Sequence, residues 1–278
     1  ILVVEEKREL IEYQLKQQIF NWDIKDRPTV VGKYDEKGAR LLPLHNDQNV
    51  GMVAHVIAKR LAPFYTTPQI KERLKFFEKR EESIKDYLPP SLRRPYYCAG
   101  CPHNSSTKVP DDSFAMVGIG CHYMVQWMDR NSAMCTHMGG EGIPFVGMAP
   151  YTKRKHIFAN LGDGTYFHSG TLAIRAAVAG KINITYKILY NDAVAMTGGQ
   201  HVDGEMPVHS VAQQVIAEGV KKAWILSEQP EVHEGNKHIP DSVPVLHRDY
   251  LDKIMKTCRE TEGTTVIIYD QTCAAEKR

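Results

Sequence analysis

The segment His156-Ile157-Phe158-Ala159-Asn160-Leu161-Gly162-Asp163-Gly164-Thr165 decides the predicted fold. Residues 156–161 are mostly apolar and predict a buried strand, and the Gly-Asp-Gly that follows is typical of a turn. Glycines there let the backbone turn tightly and approach a phosphate closely. The helix predicted to begin next would present free N–H groups and its positive dipole end to an anion. This segment therefore predicts a diphosphate-binding turn between a strand and a helix.

The next predicted strand, Ile184–Tyr190, also ends in polar residues, Asn191-Asp192-Ala193. Parallel strands carry their ligand sites at their carboxyl ends, so Asp163 and Asn191 should lie on the same rim of the sheet. Magnesium prefers six oxygen ligands and is usually held by few protein groups together with phosphates. The side-chain oxygens of Asp163 and Asn191, with a backbone carbonyl from the following turn, would supply the protein share.

The chain after Pro95 alternates short apolar strands with helices. Strands separated by helices of this length indicate βαβ units and predict an α/β fold with a mainly parallel, doubly wound sheet flanked by helices. The predicted strands are Phe114–Gly118, His156–Leu161, Ile184–Tyr190, Lys222–Leu226 and Thr264–Tyr269. The predicted helices cover roughly Thr165–Ala179, Val208–Gly219 and Arg248–Glu260.

Residues 1–93 differ in character from the remainder of the chain. They predict a buried strand over residues 1–4, an amphipathic helix over Glu5–Phe20, a helix over Val53–Leu61 and a charged helix over Pro68–Asp86, ending at Pro89-Pro90. We interpret residues 1–93 as the end of a preceding α/β domain plus a helical connecting region, and residues 94–278 as the domain that binds the diphosphate. Because the chain lacks an initiator Met and opens on a predicted strand, we expect a segment of a longer polypeptide.

The bulk composition excludes several classes of protein. A hydrophobic content of 42% and a charged content of 24% are typical of soluble globular proteins. The formal net charge of +2 gives no general attraction to nucleic acid or to an anionic membrane. No apolar run approaches the roughly 18–20 residues that span a bilayer, and the first residues do not predict a secretory signal. We expect a cytoplasmic protein that binds neither nucleic acid nor membranes.

The six cysteines favour metal ligation over disulfides. Cys98 and Cys101 form a Cys-x-x-Cys pair, Cys121 follows Gly118-Ile119-Gly120, and Cys273 lies near the end. Soft thiolates suit iron–sulfur clusters or zinc, and the cysteines alone favour a structural four-cysteine zinc site. The two isolated cysteines, Cys135 and Cys258, are expected to be small buried hydrophobic residues.

Several motifs together resemble a known family. Gly-Asp-Gly followed, after 26 residues, by Asn191 resembles the thiamine-diphosphate fingerprint, and Tyr190 to Gln200 resembles the Asn-to-Thr-Gly-Gly-Gln segment of 2-oxoacid:ferredoxin oxidoreductases. The segments Cys98–Asn104, Gly162–Gly170 and Cys273–Arg278 are similar to indolepyruvate:ferredoxin oxidoreductases, in particular to their long fused bacterial form.

This resemblance implies a thiamine-diphosphate-binding fold and two cofactor sites. It makes the Ala193 carbonyl the third Mg²⁺ ligand beside Asp163 and Asn191, and it places Met196 near the thiazolium ring. It also implies that a [4Fe–4S] cluster close to the thiamine is bound by Cys98, Cys101, Cys121 and Cys273. Oxidation at thiamine releases two electrons that a cluster accepts singly, whereas zinc has no redox role, so the cluster is preferred. Predicted cofactor contacts are Gly120, Gly162, Asp163, Gly164, Thr165, Asn191, Ala193, Met196 and Thr197.

Two histidines are candidate catalytic residues. His137 lies in the glycine-rich segment Thr136–Gly142, where it could contact the substrate or the aminopyrimidine. His122, directly after Cys121, could lie near the cluster or the thiamine ring. An ordinary hydrogen-bonded histidine remains the alternative at both positions.

The resemblance implies oxidative decarboxylation of an aryl 2-oxoacid, indolepyruvate, with coenzyme A to an arylacetyl-CoA, CO₂ and reduced ferredoxin. It further implies that the remaining domains of the same polypeptide and a homodimer complete the enzyme, and that this segment alone is inactive. Two alternatives stay open: a relative acting on pyruvate or another 2-oxoacid, and a non-redox, zinc-stabilised diphosphate-binding module.

Overall fold

The computed structural model describes residues 1–85, 94–200, 204 and 206–277. The chain divides into two compact units, Ile1–Leu92 and Arg93–Arg278. Within the described residues, no helix is both long and apolar enough to cross a bilayer.

The first unit is helical. Its helices are α1 (Ile11–Ile19), α2 (Val50–Leu61) and α3 (Pro68–Lys85). The Asn49 side chain caps α2 by accepting a hydrogen bond from the Met52 N–H at 2.7 Å. A small core of Val3, Ile19 and Val30 packs beside α1. The predicted end of the charged helix at Asp86, and Pro89-Pro90 after it, lie outside the described residues.

Two expectations for the first unit are wrong. Residues 1–4 form no strand, because only Leu2 makes a bridge, to Val31, while Ile1 and Val4 are exposed. The first helix begins at Ile11 instead of Glu5. Its N-terminus is held by the Glu5 carboxylate, which accepts hydrogen bonds from the N–H groups of residues 10, 11 and 12 at 2.8–3.0 Å. Glu5 therefore caps the helix from outside instead of belonging to it.

The second unit is built on a seven-stranded sheet. Its strands are β1 (Ala115–Val117), β2 (Ser132–Cys135), β3 (Ile157–Gly162), β4 (Ile184–Tyr190), β5 (Lys222–Ser227), β6 (Val245–His247) and β7 (Thr264–Asp270). Their order is β2-β1-β3-β4-β7-β5-β6, and all neighbouring strands are parallel. The predicted α/β fold with a parallel sheet is confirmed, and the sheet is wholly parallel.

Helices cover both faces of this sheet, as a doubly wound fold requires. One face packs against α5 (Ile143–Met148), α7 (Thr171–Ala179) and α8 (Val208–Ala217), and the other packs against α9 (Leu251–Glu260). Two short helices, α4 (His103–Ser106) and α6 (Asp163–Thr165), complete the set. A π-helical segment, Tyr166–Gly170, joins α6 to α7. Short 3₁₀ segments lie at Cys121–Trp127, Ala149–Tyr151, Ala195–Thr197, Pro230–His233 and Arg248–Tyr250.

The five predicted strands are all present, with ends shifted by one residue at most. The strands β2 and β6 were not expected. Both lie at the edges of the sheet, have only three or four residues and are partly exposed, so neither shows a continuous apolar run or clear alternation. Their places are set by their neighbours in the sheet.

Candidate functional site

The carboxyl edge of the sheet gathers the residues predicted to bind cofactors. Cys121 follows β1, Asp163 follows β3, Asn191 follows β4 and Cys273 follows β7. In the order of the sheet these four strands are consecutive neighbours. The parallel register between β3 and β4 pairs Gly162 with Leu189, which brings Asp163 beside the end of β4.

The Asp163 carboxylate joins the ends of the two central strands. Its Oδ1 accepts a hydrogen bond from the Gly164 N–H at 2.8 Å. Its Oδ2 accepts from the Asn191 N–H at 2.9 Å and from the Asp192 N–H at 2.8 Å. Asp192 adopts a left-handed conformation with φ 57°, which shapes the turn after β4. Three backbone donors therefore fix the carboxylate at the edge of the sheet.

The neighbouring oxygens suit a hard divalent cation. Asn191 is buried, and its Oδ1 accepts a hydrogen bond from the Ala193 N–H at 3.1 Å, so the carboxamide lies within the same turn. Burial raises the pKa of Asp163, while the backbone N–H groups that it accepts lower that pKa. One carboxylate, one carboxamide and one backbone carbonyl, that of Ala193, form the kind of oxygen set that magnesium takes from proteins. The residues present therefore fit the implied ion.

A cavity of about 470 Å³ opens beside Asp163. Its lining includes the aromatic side chains of Tyr166, Phe167 and Tyr190. The first two belong to the π-helical segment, a geometry that is frequent at functional sites. Sequence reasoning missed these aromatic residues because they come from separate elements that only the folded sheet brings together. Gly164 and Thr165 lie in α6, directly before this π-helical segment, and Thr165 is buried.

The turn after Ala193 carries the remaining predicted contacts. Met196 and Thr197 lie in an exposed 3₁₀ turn. The Thr197 hydroxyl donates to Gln200 Oε1 at 2.7 Å, and Gly199 has φ 79°. A side chain at Gly199 would meet the carboxylate of Glu276 at 2.1 Å, so the chain after Cys273 packs closely against this turn.

Four of the six cysteines lie near one another. Burial raises the pKa of Cys101 to about 11, and the thiols of Cys98, Cys121 and Cys273 raise it as well. Burial likewise raises the pKa of Cys121, followed by the effects of Cys273 and Cys98. The Cys273 N–H donates to the carbonyl of Asn191 at 3.2 Å, which places this cysteine directly beside a predicted magnesium ligand. The other cysteines that the motif singled out are thus close enough to Cys101 and Cys121 to raise the pKa of these two thiols.

The other two cysteines lie apart from this group. Cys258 is fully buried among the apolar residues around α9, as expected for a small buried hydrophobic residue. Cys135 is half-buried on β2. Burial raises the pKa of its thiol, and the charge of Glu141, not another cysteine, raises it further. In the parts of the chain that the structure describes, no group of three or more His, Cys, Asp or Glu side chains could hold a metal ion.

The two candidate histidines have opposite environments. His122 is 2% exposed, and burial lowers its pKa to about 3, so the ring is neutral at physiological pH. A side chain at Gly120 would meet the His122 ring at 2.8 Å, and one at Gly162 would meet it at 3.3 Å, so the ring packs beneath the diphosphate turn. His137 is exposed in its glycine-rich loop. Its ring lies against Gly140, where a side chain would meet it at 2.9 Å.

Glu141 is a buried acid that the sequence did not single out. It is 1% exposed, and its Oε2 accepts a hydrogen bond from the Gly139 N–H at 2.7 Å. Burial raises the pKa of this carboxyl group. An acidic residue between glycines has the same sequence pattern as a solvent-exposed loop, so no local signal distinguishes it.

Comparison with known proteins identifies the family of this chain. Residues 118–268, more than half of the chain, match the family model of the thiamine pyrophosphate enzyme C-terminal TPP binding domain. The chain therefore belongs to the thiamine pyrophosphate enzymes. More particularly, residues 1–86 match the model of the indolepyruvate ferredoxin oxidoreductase middle domain.

Curated relatives point to the same enzymes. The indolepyruvate oxidoreductase subunit IorA of Thermococcus kodakarensis is 25% identical over 303 residues, covering 100% of this chain and 42% of that protein. The IorA subunit of Pyrococcus abyssi is 25% identical over 295 residues, covering 99% and 41%. The resemblance to indolepyruvate oxidoreductases is confirmed, and the chain spans about two fifths of the length of these relatives.

One of the similar solved structures aligns with about two thirds of this chain. A 2-oxoglutarate:ferredoxin oxidoreductase from Magnetococcus marinus aligns with 68% of this chain and 67% of its own, at 19% sequence identity and a TM-score of 0.49.

Proposed function

We propose that this chain binds Mg²⁺-thiamine diphosphate and a [4Fe–4S] cluster within a 2-oxoacid:ferredoxin oxidoreductase of the indolepyruvate type. The observation that carries the proposal is the Asp163 carboxylate, which three backbone N–H groups hold beside Asn191 at the edge of the sheet. A carboxylate so fixed, in a member of the thiamine pyrophosphate enzymes, is suited to hold the cation that binds the diphosphate.

The residues of this chain divide the work of holding the cofactor. Asp163, Asn191 and the Ala193 carbonyl would hold Mg²⁺, and the start of α6 would face the diphosphate, with Gly162, Gly164 and Thr165 next to it. When bound, thiamine diphosphate supplies the carbanion chemistry, and the protein supplies binding, orientation and an exit for electrons. Gly120, Met196 and Thr197 remain proposed contacts to the cofactor.

The four grouped cysteines support the iron–sulfur proposal. Cys98, Cys121 and Cys273 each raise the pKa of Cys101, although no group of three or more such side chains among the described residues converges on a single ion. A four-iron cluster is wider than one ion, and its cysteine ligands surround it. The backbone link from Cys273 to Asn191 would set this cluster beside the magnesium site.

The proposed overall reaction balances in atoms and charge. One aryl 2-oxoacid anion and one coenzyme A thiol give one arylacetyl-CoA, one CO₂, one proton and two electrons. The electrons leave singly through the cluster to ferredoxin or a similar acceptor. His137, exposed in its loop, is proposed to contact the substrate or the aminopyrimidine, whereas the buried His122 is proposed to lie near the cluster or the thiamine ring.

The proposal extends to the surroundings of this chain. Because the curated relatives are more than twice as long, we propose that further domains of the same polypeptide complete the enzyme. We also propose a homodimer located in the cytoplasm. Turnover of indolepyruvate against pyruvate by the complete enzyme tests the substrate class, and faster turnover of pyruvate would contradict the indolepyruvate assignment.

The magnesium site is tested by calorimetric titration of Mg²⁺-thiamine diphosphate into the Asp163→Ala variant. We expect the affinity to fall at least about a hundredfold, since even outer-shell partners of metal ligands are worth about 10–100-fold. Asp252→Ala is the control, because that carboxylate makes an exposed ion pair with Lys256 on α9. Unchanged affinity in a folded Asp163→Ala protein would overturn the assignment.

A further inference from the structure

A cluster of buried polar side chains lies behind the proposed cofactor site. His122, Glu141 and Asn160 are each at most 2% exposed. His122 Nε2, Glu141 Oε1 and both polar atoms of the Asn160 amide have no hydrogen-bond partner among the described residues. A buried polar atom left without a partner costs about 1–3 kcal/mol. The cluster is therefore unfavourable for stability alone, and apolar residues would fill the same space at lower cost.

The side chains of His122 and Glu141 and the backbone of Asn160 meet at Gly118, at the end of β1. A side chain there would lie 2.4 Å from the backbone oxygen of Asn160, 2.7 Å from His122 Nε2 and 3.1 Å from Glu141 Cγ. Only a residue without a side chain leaves room for this convergence. The cluster thus spans three separate parts of the chain: β3, the segment after β1, and the glycine-rich loop.

Glu141 links two of these parts directly. We call residues 118–121 the cysteine loop, because they end in Cys121, and residues 136–142 the glycine-rich loop. The Glu141 carboxyl group accepts a hydrogen bond from Gly139 N–H at 2.7 Å within the glycine-rich loop. Its Cγ packs against Gly118, the first residue of the cysteine loop, where an added side chain would meet it at 3.1 Å. The backbone N–H of Ile119 in the same loop lowers the pKa of this carboxyl group. One buried side chain thereby contacts the backbone of both loops.

We propose that Glu141 is a positioning residue, which holds the cysteine loop and the glycine-rich loop in one fixed arrangement. The inference rests on the proposed function, in which Cys121 binds the iron–sulfur cluster and the glycine-rich loop faces the thiamine. Fixing the two loops together fixes the separation of the two redox partners, on which the rate of electron transfer depends. The free-energy cost of the buried polar atoms that lack hydrogen-bond partners is then tolerated because the cluster fixes the two loops.

The test uses the complete enzyme loaded with iron, Mg²⁺ and thiamine diphosphate. In a single turnover, indolepyruvate and coenzyme A donate two electrons per substrate, and the bleaching of the cluster is followed by stopped-flow absorbance. Reduction of the same cluster by dithionite, iron content and the affinity for thiamine diphosphate are measured in parallel. The variants are Glu141→Ala, Glu141→Asp and Glu141→Gln.

We expect Glu141→Ala to slow substrate-driven reduction at least about tenfold, because displacements on the order of 1 Å can cost about a hundredfold in rate. Reduction by dithionite should stay unchanged. Glu141→Gln should recover most of the rate, since its amide oxygen can accept the Gly139 N–H and its side chain has the same length, whereas Glu141→Asp, shorter by one methylene, should not. If Glu141→Ala does not load its cofactors, the test is whether substrate reduces the cluster faster in Glu141→Gln than in Glu141→Asp.

A control separates position from stability. Glu218→Ala removes a carboxyl group that pairs with Arg175, at the end of α8 and away from both loops. Its substrate-driven rate should equal that of the unaltered enzyme. A Glu141→Ala enzyme with normal iron and a normal rate would overturn the inference, as would an Asp variant that matches the Gln variant. Failure of indolepyruvate to bleach the loaded, unaltered enzyme would instead overturn the proposed function.

Discussion

Gly118 shows how one residue can limit what the surrounding structure tolerates. The atom nearest to a side chain at this position is a backbone oxygen, that of Asn160 on the central strand β3. A flexible side chain can move away from an added methyl group, but a hydrogen-bonded strand cannot do so cheaply. The requirement for glycine here is therefore one of space and not of backbone conformation.

We predict that Gly118→Ala lowers the free energy of unfolding by about 1–3 kcal/mol, the usual cost of adding a methylene to a filled core. Gly147→Ala is the matched control, because an added side chain there meets nothing within 4 Å and Gly147 lies in α5. That substitution should be neutral or stabilising by up to about 1 kcal/mol. Urea unfolding of both variants decides the matter, and equal stabilities would contradict the packing described for Gly118.

The cysteines make a second prediction at the scale of single residues. Serine at Cys98, Cys101, Cys121 or Cys273 should lower the iron content of anaerobically purified protein, since thiolates are the ligands that clusters require. Serine at Cys135 should leave iron unchanged. Cys258→Ser should also keep iron, although a hydroxyl buried in the α9 cluster will reduce stability. Loss of iron in Cys135→Ser as severe as in Cys121→Ser would show that the ligand set is wrong.

At the scale of elements, β4 carries a buried lysine that ties the sheet to the segment after α4. Lys187 is fully buried, and its Nζ donates to the carbonyls of Ser106 at 2.7 Å and Lys108 at 3.1 Å. Burial, followed by the charge of Arg130, lowers the pKa of Lys187 to about 7. A neutral amine still has two N–H groups for these two carbonyls.

This pKa predicts a pH dependence of stability. Between pH 7 and pH 10 the unfolded chain carries a proton on Lys187 that the folded chain lacks, so the residue's contribution rises with pH by up to about 1.4 kcal/mol per unit. Relative to Lys187→Met, the unaltered protein should therefore gain about 2 kcal/mol between pH 7.5 and pH 9. The lost hydrogen bonds add a constant that does not change this slope. Denaturant unfolding at both pH values measures this difference in the free energy of unfolding, and Lys253→Met, at an exposed lysine, is the control. A difference that does not change with pH would contradict the lowered pKa of Lys187.

The elements also show what the sequence could predict. The central strands β3, β4 and β7 are buried on both faces, so each is a nearly continuous apolar run that identifies it directly. Parallel neighbours then place Asp163 and Asn191 on one edge without further information. The edge strands and the π-helical segment have no such local pattern. Glu141 is equally invisible in the sequence, because its burial depends on three segments meeting at Gly118.

At the scale of the whole molecule, the described residues contain one cofactor-binding sheet. The described part of the first unit forms three helices and isolated β-bridges, from Leu2 to Val31 and from Tyr34 to Arg40, without a sheet. The family resemblance implies that thiamine enzymes grip the diphosphate with one domain and the aminopyrimidine with another. That second domain carries a glutamate which hydrogen-bonds the pyrimidine and activates the thiazolium carbon. We therefore expect activation to need the further domains that the longer relatives have room for.

Two glutamates of this chain, Glu5 and Glu141, are poor substitutes for that activating residue. Glu5 already accepts three N–H groups at the start of α1, and Glu141 is 1% exposed behind the glycine-rich loop. With Mg²⁺ and thiamine diphosphate present, we predict that the 278-residue chain leaves hydrogen–deuterium exchange at the thiazolium carbon near the rate of free thiamine. The complete enzyme, followed by quenched-flow NMR under the same conditions, should exchange at least about a hundredfold faster, since general base catalysis contributes about 10²–10⁴-fold. Equally fast exchange in both would mean that a glutamate of this chain activates the cofactor, and Glu141→Gln would then be the variant that loses it.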